Sequence, residues 1–302
     1  MSKKRTPYNR KARHPTGQTL TQERPTGIIL RPVLNTGYSN GGASAEKQAM
    51  RGYWPIRSSP KSDVDVNLNI LRNRSADMAI NSPVGAAAIN RYRTHVVGAG
   101  LVPSPCPDYR LLGMSPEEAA EWRRHTKAEF NLWAQSVECD LYRKHNFYDM
   151  QDVAFISSIL DGDAWAAIKY RKALGDNPYT TKIQLFEASR VCNPNTYSLI
   201  GALNEVEVRN PKNGNRIING VEINTDGAVV AYWVADRVPY DPTDNRNIKW
   251  VRVEAFGRKT GAPNILQISH EERPEQYRGV PILAPAIEEL KQMHRYSCLL
   301  YT

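Results

Sequence analysis

The sequence predicts an α+β protein with a helical N-terminal half, a mostly antiparallel β region and a long C-terminal helix. Between residues 65 and 160, apolar residues recur every three or four positions, which is the period of an amphipathic helix. Between residues 164 and 269, short runs rich in β-branched and aromatic residues alternate with turn residues, as in strands. From Val280 onward the helical spacing returns.

Two predicted helices form a hairpin at the start of the helical half. They cover residues 65–81 and 84–97 and are separated by Ser82-Pro83. Proline is tolerated at a helix start and glycine is favoured at a helix end, so the second helix is expected to stop at Gly98.

Two more helices follow a proline-rich loop. Ser115 and Glu118 have the spacing of a capping box, which predicts a helix start there. A helix over residues 147–160 is expected to end at the turn 161–163. One buried face of the first of these helices is predicted to contain Ala119, Trp122, Thr126, Phe130, Trp133 and Val137.

The β region consists of short runs that indicate antiparallel strands. The turn 225–227 contains Asp-Gly, which favours a tight hairpin, and the stretch 257–261 is interpreted as a hairpin turn. The runs cover residues 164–170, 182–188, 217–224, 229–235, 247–255 and 264–269.

The last helix is expected to begin at Val280-Pro281 and to have one apolar stripe, formed by Leu283, Ile287, Leu290 and Met293. This stripe is a candidate subunit interface, and packing within the same subunit is an equally good interpretation. The apolar end at Thr302 has no C-cap glycine. It indicates a fragment or an interrupted gene of a longer protein, the alternative being a helix end docked on the body.

The positive charge of the chain is concentrated at the N-terminus. Residues 1–62 contain 12 Lys/Arg and two acidic residues, which leaves 28 basic and 29 acidic residues in the remainder. This segment has no apolar periodicity, so we expect a flexible basic arm on a near-neutral body. The arm is either a solvated tail or a contact for nucleic acid or another anion, with the candidate residues Lys3, Lys4, Arg5, Arg10, Lys11 and Arg13.

Composition indicates a cytoplasmic protein with an ordinary core. The chain has 302 residues, 41% of them hydrophobic and 24% charged. It shows no bilayer-spanning apolar stretch and no signal-peptide pattern. The cysteines are scattered without a CxxC pair, which indicates reduced, mostly buried thiols at Cys106, Cys139, Cys192 and Cys298.

No catalytic constellation is apparent, so we predict neither an enzyme nor a cofactor or metal. The stretch 257–261 lacks the glycine spacing of a phosphate-binding loop, and no second histidine follows His270 at metalloprotease spacing. Asp161 and Asp163 lack the further oxygen ligands that a hard cation needs, and Asp-Gly-Asp is a common turn.

Several segments, in order, resemble the portal proteins of lambda-type tailed bacteriophages. The most specific is Ile268-Ser269-His270 followed by the stretch 273–286, RPEQYRGVPILAPA. Other similar segments lie at residues 81–101, 130–140, 147–151, 185–187 and 220–234. One departure is Gly162-Asp163, where the family commonly has Gly-Glu, so this chain has a shorter carboxylate at that position.

The resemblance implies a dodecameric ring at one capsid vertex of the virion, assembled in the host cytoplasm. The implied partners are further copies of the chain, the terminase large subunit, capsid and scaffold proteins, head–tail connector proteins and the double-stranded DNA passing through the channel, with no membrane. The implied domains are a basic arm over residues 1–62, a wing over 63–280 and the truncated start of a stem helix over 281–302. A near-neutral body suits a conduit that must not grip DNA.

Two other hypotheses remain open from the sequence. The uncapped end favours a truncated prophage remnant that cannot close a ring. The basic arm favours a nucleic-acid-binding protein or a nucleic-acid enzyme.

Overall fold

The computed structural model describes residues 42–44, 47–172, 178–194, 206–239, 241, 243–244 and 246–300, with only the backbone for 297–300. The chain divides into two units, residues 1–56 and 57–302. In the described part of the first unit, a short 3-10 turn covers Gln48–Met50. The second unit contains the helices and strands given below.

The helices form a predominantly N-terminal layer, and their starts follow the predicted capping signals. The Ser82 hydroxyl accepts a hydrogen bond from Gly85, and Ser115 and Glu118 form the predicted capping box. A single π-helical turn, Lys61–Asp65, precedes the first α-helix. The α-helices are α1 (Leu68–Asn81), α2 (Pro83–Val96), α3 (Pro116–Gln135), α4 (Phe147–Asp161) and α5 (Ile287–Leu300).

The strands form two antiparallel sheets, as predicted for this region. One has the order β2-β1-β8 and the other the order β3-β4-β5-β6-β7. The strands are β1 (Asp163–Tyr170), β2 (Thr181–Phe186), β3 (Glu207–Arg209), β4 (Arg216–Ile218), β5 (Val221–Ile223), β6 (Val229–Ala235), β7 (Trp250–Glu254) and β8 (Ile265–Ser269).

The run 217–224 differs from its prediction because a turn divides it into β4 and β5. Asn219 and Gly220 both have positive φ values, 44° and 87°, which is the geometry of a two-residue type I′ turn. The turn 225–227 joins β5 to β6 as predicted. The chain also makes the expected hairpin turn at 257–261, where Phe256 and Pro263 form an isolated antiparallel bridge, although β7 and β8 then continue into different sheets.

Two further predictions were wrong in detail. The last helix begins at Ile287, because the segment after Pro281 first forms a 3-10 turn, Ala284–Ala286. Trp122, which was assigned to the buried face of α3, is 45% exposed, and Val137 is also exposed. Among the cysteines, Cys139 is buried as expected, whereas Cys106 is exposed.

Each layer has its own apolar core. Trp165 and Tyr232 pack edge to face at 5.0 Å between their ring centroids, within a cluster drawn from both sheets. In the helical layer, Met78, Ile89 and Ile159 surround Leu283, which belongs to the segment that leads into α5. The start of the last helix is therefore packed against the body of its own chain.

Candidate functional site

A completely buried arginine lies between β8 and α5. The Arg278 side chain is 0% exposed, yet all five of its guanidinium N–H donors are used. Nε and Nη2 bind the two oxygens of Asp163 at 2.6 and 3.2 Å. The remaining donors bind the carbonyl oxygens of Ala188, Val191 and Asn219. Arg278 thus holds several backbone segments at one point.

Asp163, at the first position of β1, is the centre of this cluster. Its Oδ1 also accepts hydrogen bonds from Arg72 Nη2 at 2.9 Å and from Trp165 Nε1 at 3.0 Å. Burial raises the pKa of Asp163, but the charges of Arg278 and Arg72 outweigh burial and hold the pKa below its usual range. The carboxylate is therefore ionised between two arginines. We call Arg72, Asp163 and Arg278 the buried network.

Arg72, on α1, connects the buried network to the helical layer. Its Nε donates to the carbonyl oxygen of Asp161 at 2.8 Å, where the negative end of the α4 dipole favours a cation. Burial lowers the pKa of Arg72 to about 10 despite the attraction of Asp163. That value still leaves the guanidinium charged at neutral pH.

Two glycines allow the segments of the buried network to meet. Gly162 ends α4 with a φ of 85°, a left-handed conformation that favours glycine. A Cβ on Gly279 would lie 1.7 Å from the carbonyl oxygen of Gly162. Neither position has room for a side chain, so Asp163 and Arg278 are neighbours because Gly162 and Gly279 touch.

A second buried carboxylate, Glu222 on β5, lies within the five-stranded sheet. Arg252 binds it through Nε and Nη2 at 2.7 and 3.0 Å, and Trp233 Nε1 donates at 2.9 Å. Burial raises the pKa of Glu222, but these bonds and those from asparagines lower it overall, from 4.5 to about 2. We call this the Glu222 cluster; its amide donors are Asn210, Asn213 and Asn215.

The buried network and the Glu222 cluster both connect separate parts of the fold. The acceptors of Asp163 and Glu222 are occupied by protein donors. Among the residues that the structure describes, no group of three or more His, Cys, Asp or Glu residues could hold a metal ion. The buried network holds Arg278 against the sheets, and four residues later Ile282 N donates to Ile159 O on α4 at 3.0 Å. Together these contacts fix the direction in which the chain leaves the sheets toward α5.

The predicted site residues fall in different places. The six basic arm residues, from Lys3 to Arg13, lie outside the described residues. Leu283, Ile287 and Leu290 pack on the core of the helical layer, whereas Met293 is 45% exposed. The stripe therefore contributes to packing within the chain, and its role between subunits stays a prediction.

The sequence interpretation missed the buried network and the Glu222 cluster. Asp163 was assigned to a simple turn, and Arg278 was noticed only as part of a similar segment. A signal did exist, because Glu222 stands between Val221 and Ile223 in an apolar run, where a charge needs a partner. The identity of that partner depends on strand pairing, which the local sequence does not reveal.

The sequence of this chain is similar to those of known phage proteins. Residues 46–298 match the model of the phage portal protein family described as "Phage portal protein, lambda family". The portal protein of Escherichia phage N15 is 25% identical over 259 residues, which are 85% of this chain and 45% of that protein. Portal protein B of Escherichia phage lambda is 25% identical over 263 residues, with the same coverage.

The chain thus spans less than half the length of the curated relatives it matches. The family match includes α1 to α4, all eight strands and most of α5. It also contains every residue of the buried network and of the Glu222 cluster. The chain belongs to the lambda family of phage portal proteins.

Proposed function

We propose that this chain is a structural subunit of a portal, the ring at a capsid vertex through which viral DNA is packaged and ejected. The observation that supports this most strongly is the family match over residues 46–298. The proposal includes a place in the virion and a structural role in place of catalysis. Its partners are further copies, the terminase large subunit, capsid and scaffold proteins and head–tail connector proteins.

The surface of the helical layer supports self-assembly. Ring closure joins one face of a subunit to a different face of the next. Tyr92 and Val96 on α2, and Leu101 and Leu111 in the loop that follows, are exposed apolar side chains. Exposed apolar surface of this kind is typical of an interface. No helix of the described residues combines the length and apolarity needed to cross a membrane.

Native mass spectrometry and electron microscopy test the proposal on the product of the complete gene that contains this sequence. We expect closed rings of identical copies around a central channel. A product that stays monomeric at micromolar concentration would contradict the proposal.

The exposed end of the predicted stripe can be tested in the same assay. Met293→Glu places a charge at a half-exposed apolar position of α5, whereas Gln292→Glu changes the exposed neighbouring position. If the stripe meets a neighbouring subunit, the first variant reduces ring formation and the second does not. Rings formed equally by both variants would exclude Met293 from the interface.

Binding of nucleic acid by the basic arm is the second candidate function, favoured by the 12 Lys/Arg of residues 1–62. The test compares the chain with a variant in which Lys3, Lys4, Arg5, Arg10, Lys11 and Arg13 are replaced by Gln, here named the arm-neutral chain. We expect the unchanged chain to bind duplex DNA with a steep salt dependence and the arm-neutral chain to bind weakly. Equal DNA affinity of the two would contradict this function.

A further inference from the structure

A wide cleft lies beside the segment that leads to the buried network. It has a volume of about 690 Å³ and is formed by three parts of the second unit. These are the turn around Lys61, the hairpin turn 224–227 and the segment 271–277. Gln276 and Asp65, both buried, contribute to its lining.

The two basic residues of the cleft are already paired. Lys61 Nζ lies 2.6 Å from Glu207 Oε2, and Arg216 Nε lies 2.7 Å from Glu207 Oε1. In contrast, the lining carboxylates of Asp226, Glu271 and Glu275 form no ion pair with any residue that the structure describes. The unpaired charge of the cleft is therefore negative.

The Asp65 side chain provides an independent observation. It is 6% exposed and lines the cleft. Its Oδ1 accepts a hydrogen bond from Asn219 Nδ2 at 3.1 Å, but no described residue donates to Oδ2 or forms an ion pair with it. Burial raises the pKa of Asp65. Arg278, Lys61 and Arg72 attract the charge of Asp65, but none of them forms a direct ion pair with it, and burial outweighs their attraction. A further cation in direct contact would therefore stabilise this buried carboxylate.

A cationic side chain suits this place better than a metal ion. The described residues contain no group of three or more His, Cys, Asp or Glu residues arranged for a metal. An extended segment with several lysines or arginines could place one cation beside Asp65 and others beside Asp226, Glu271 and Glu275. Such a ligand would be a basic peptide.

We infer that the cleft binds the basic N-terminal segment, residues 2–16, of a second copy of this chain. The segment contains Lys3, Lys4, Arg5, Arg10, Lys11 and Arg13 and no acidic residue. The stretch between residues 13 and 57 has a contour length of at most about 150 Å, and a domain the size of residues 57–302 is roughly 45 Å across. The segment is therefore long enough to reach an adjacent subunit. The inference rests on the proposed function, because a ring places copies side by side.

The first experiment measures binding of the segment to the cleft without any ring. A fluorescein-labelled peptide of residues 2–16 is titrated with the arm-neutral chain, whose own N-terminal segment no longer competes, and fluorescence anisotropy is recorded. We expect Glu271→Gln with Glu275→Gln to weaken binding about tenfold, as loss of two favourable charge pairs implies. Asp65→Asn, checked for an unchanged melting temperature, is expected to weaken it as well.

The matched control is Glu272→Gln, since Glu272 is exposed in the same segment but does not line the cleft. We expect this variant to bind as the arm-neutral chain does. A peptide with its six cations replaced by Gln should not bind. If the double variant and the control bind the peptide equally, the cleft is not the site and the inference is overturned.

The second experiment shows which copy supplies the segment. Chains labelled with ¹⁴N and ¹⁵N are mixed, assembled and treated with a carbodiimide, which joins lysine amines to carboxylates. We expect cross-links of mixed mass between Lys3, Lys4 or Lys11 and Glu271 or Glu275. The decisive sample is one that native mass spectrometry shows to contain rings. If its cross-links join chains of a single isotope only, or if no cross-links form, the inference is overturned and the proposed function stays intact. Peptide binding by a product that forms no ring would contradict the proposed function alone.

Discussion

Asp163 and Glu222 are both buried carboxylates with all-protein partners, but the distances of those partners along the chain differ. The arginines that bind Asp163 lie 91 and 115 positions away, whereas the arginine that binds Glu222 lies 30 positions away. Asp163 joins the helical layer to the sheets and to the segment before α5. Glu222 joins strands of one sheet, connecting β5 to β6 through Trp233 and to β7 through Arg252. The same ion-pair chemistry therefore connects layers in one place and stabilises one layer in the other.

The buried network and the Glu222 cluster also differ in the solvent exposure of their arginines. The Arg278 side chain is completely buried, while 30% of the Arg252 side chain is exposed. Water can solvate Arg252 if Glu222 is removed, and Glu222, although its side chain is 0% exposed, keeps its indole and amide donors if Arg252 is removed. Water does not reach Arg278. We therefore expect the free energy of unfolding to depend more on the buried network than on the Glu222 cluster.

The largest expected effect is that of Arg278→Met. It removes five hydrogen bonds and leaves part of a buried carboxylate and the carbonyl oxygens of Val191 and Asn219 without these donors, while Ala188 O keeps the bond from Val191 N. We expect it to lower the free energy of unfolding by about 3–5 kcal/mol. Arg252→Met should cost about 1–2 kcal/mol, because asparagine and indole donors remain on Glu222. Urea unfolding of both variants at pH 7 provides the measurement.

Arg278→Lys extends this test. Lysine keeps the positive charge but lacks the planar fork of donors that reaches Asp163 and three carbonyls together. We expect a loss close to that of Arg278→Met. Equal losses for Arg278→Met and Arg252→Met would remove the energetic difference between the two groups.

The second effect concerns the contact that brings the buried network together. Gly162 and Gly113 both have positive φ values, 85° and 67°, but only a Cβ on Gly162 meets other atoms, at 2.4 Å from Gly279. We expect Gly162→Ala to cost about 1–3 kcal/mol more than Gly113→Ala, since backbone strain is common to both. Thermal and urea unfolding of the two variants would reveal this, and equal losses would show that the contact relaxes freely.

Local signals in the sequence predicted much of the fold. The capping box at Ser115 and the break at Ser82-Pro83 depend on neighbouring residues alone, and both predictions were confirmed. The Asn219-Gly220 turn was also locally encoded, because Asn-Gly between apolar residues favours a two-residue turn. Apolar residues flank this pair on both sides within 217–224, so a prediction based on the apolar run alone gives one strand there.

The site was harder to predict because its contacts are not local. Trp122 has the spacing of a core residue, but its exposure depends on what packs against α3, and periodicity does not show this. Likewise, nothing near Asp163 in the sequence indicates that Arg72 and Arg278 will bind it. The resemblance to the portal family identified the segment that contains Arg278, although not the role of that residue.

The third prediction uses the titration of Glu222. Its pKa is lowered from 4.5 to about 2 in the folded protein, so its stabilisation is present above pH 4.5 and is lost as the pH falls toward 2. We expect Glu222→Gln to be about 2 kcal/mol less stable than the unchanged chain at pH 7. The difference should shrink below pH 4.5 in urea unfolding at several pH values. A difference that is constant from pH 7 to 3 would show that lost packing, and not lost charge, is responsible.

The smallest expected effect has the opposite sign and belongs to Asp161. Arg72 binds the backbone carbonyl of Asp161, so the carboxylate has no ion pair with a described residue, and Ser157 donates to it at 3.2 Å. Burial raises the pKa of Asp161 from 3.8 to about 6 despite the charge of Arg72. A raised folded-state pKa means that stability falls as the pH rises from 3.8 to 6.

Asp161→Asn should therefore raise the free energy of unfolding at pH 7 by about 1 kcal/mol and change it little at pH 4. Urea unfolding at both pH values checks this, with Asp149→Asn at an exposed position of α4 as the control. A loss of stability at pH 7 would mean that attraction to Arg72 outweighs burial for Asp161 as it does for Asp163. The two carboxylates, two residues apart, would then belong to one network, whereas we expect only Asp163 to depend on the arginines.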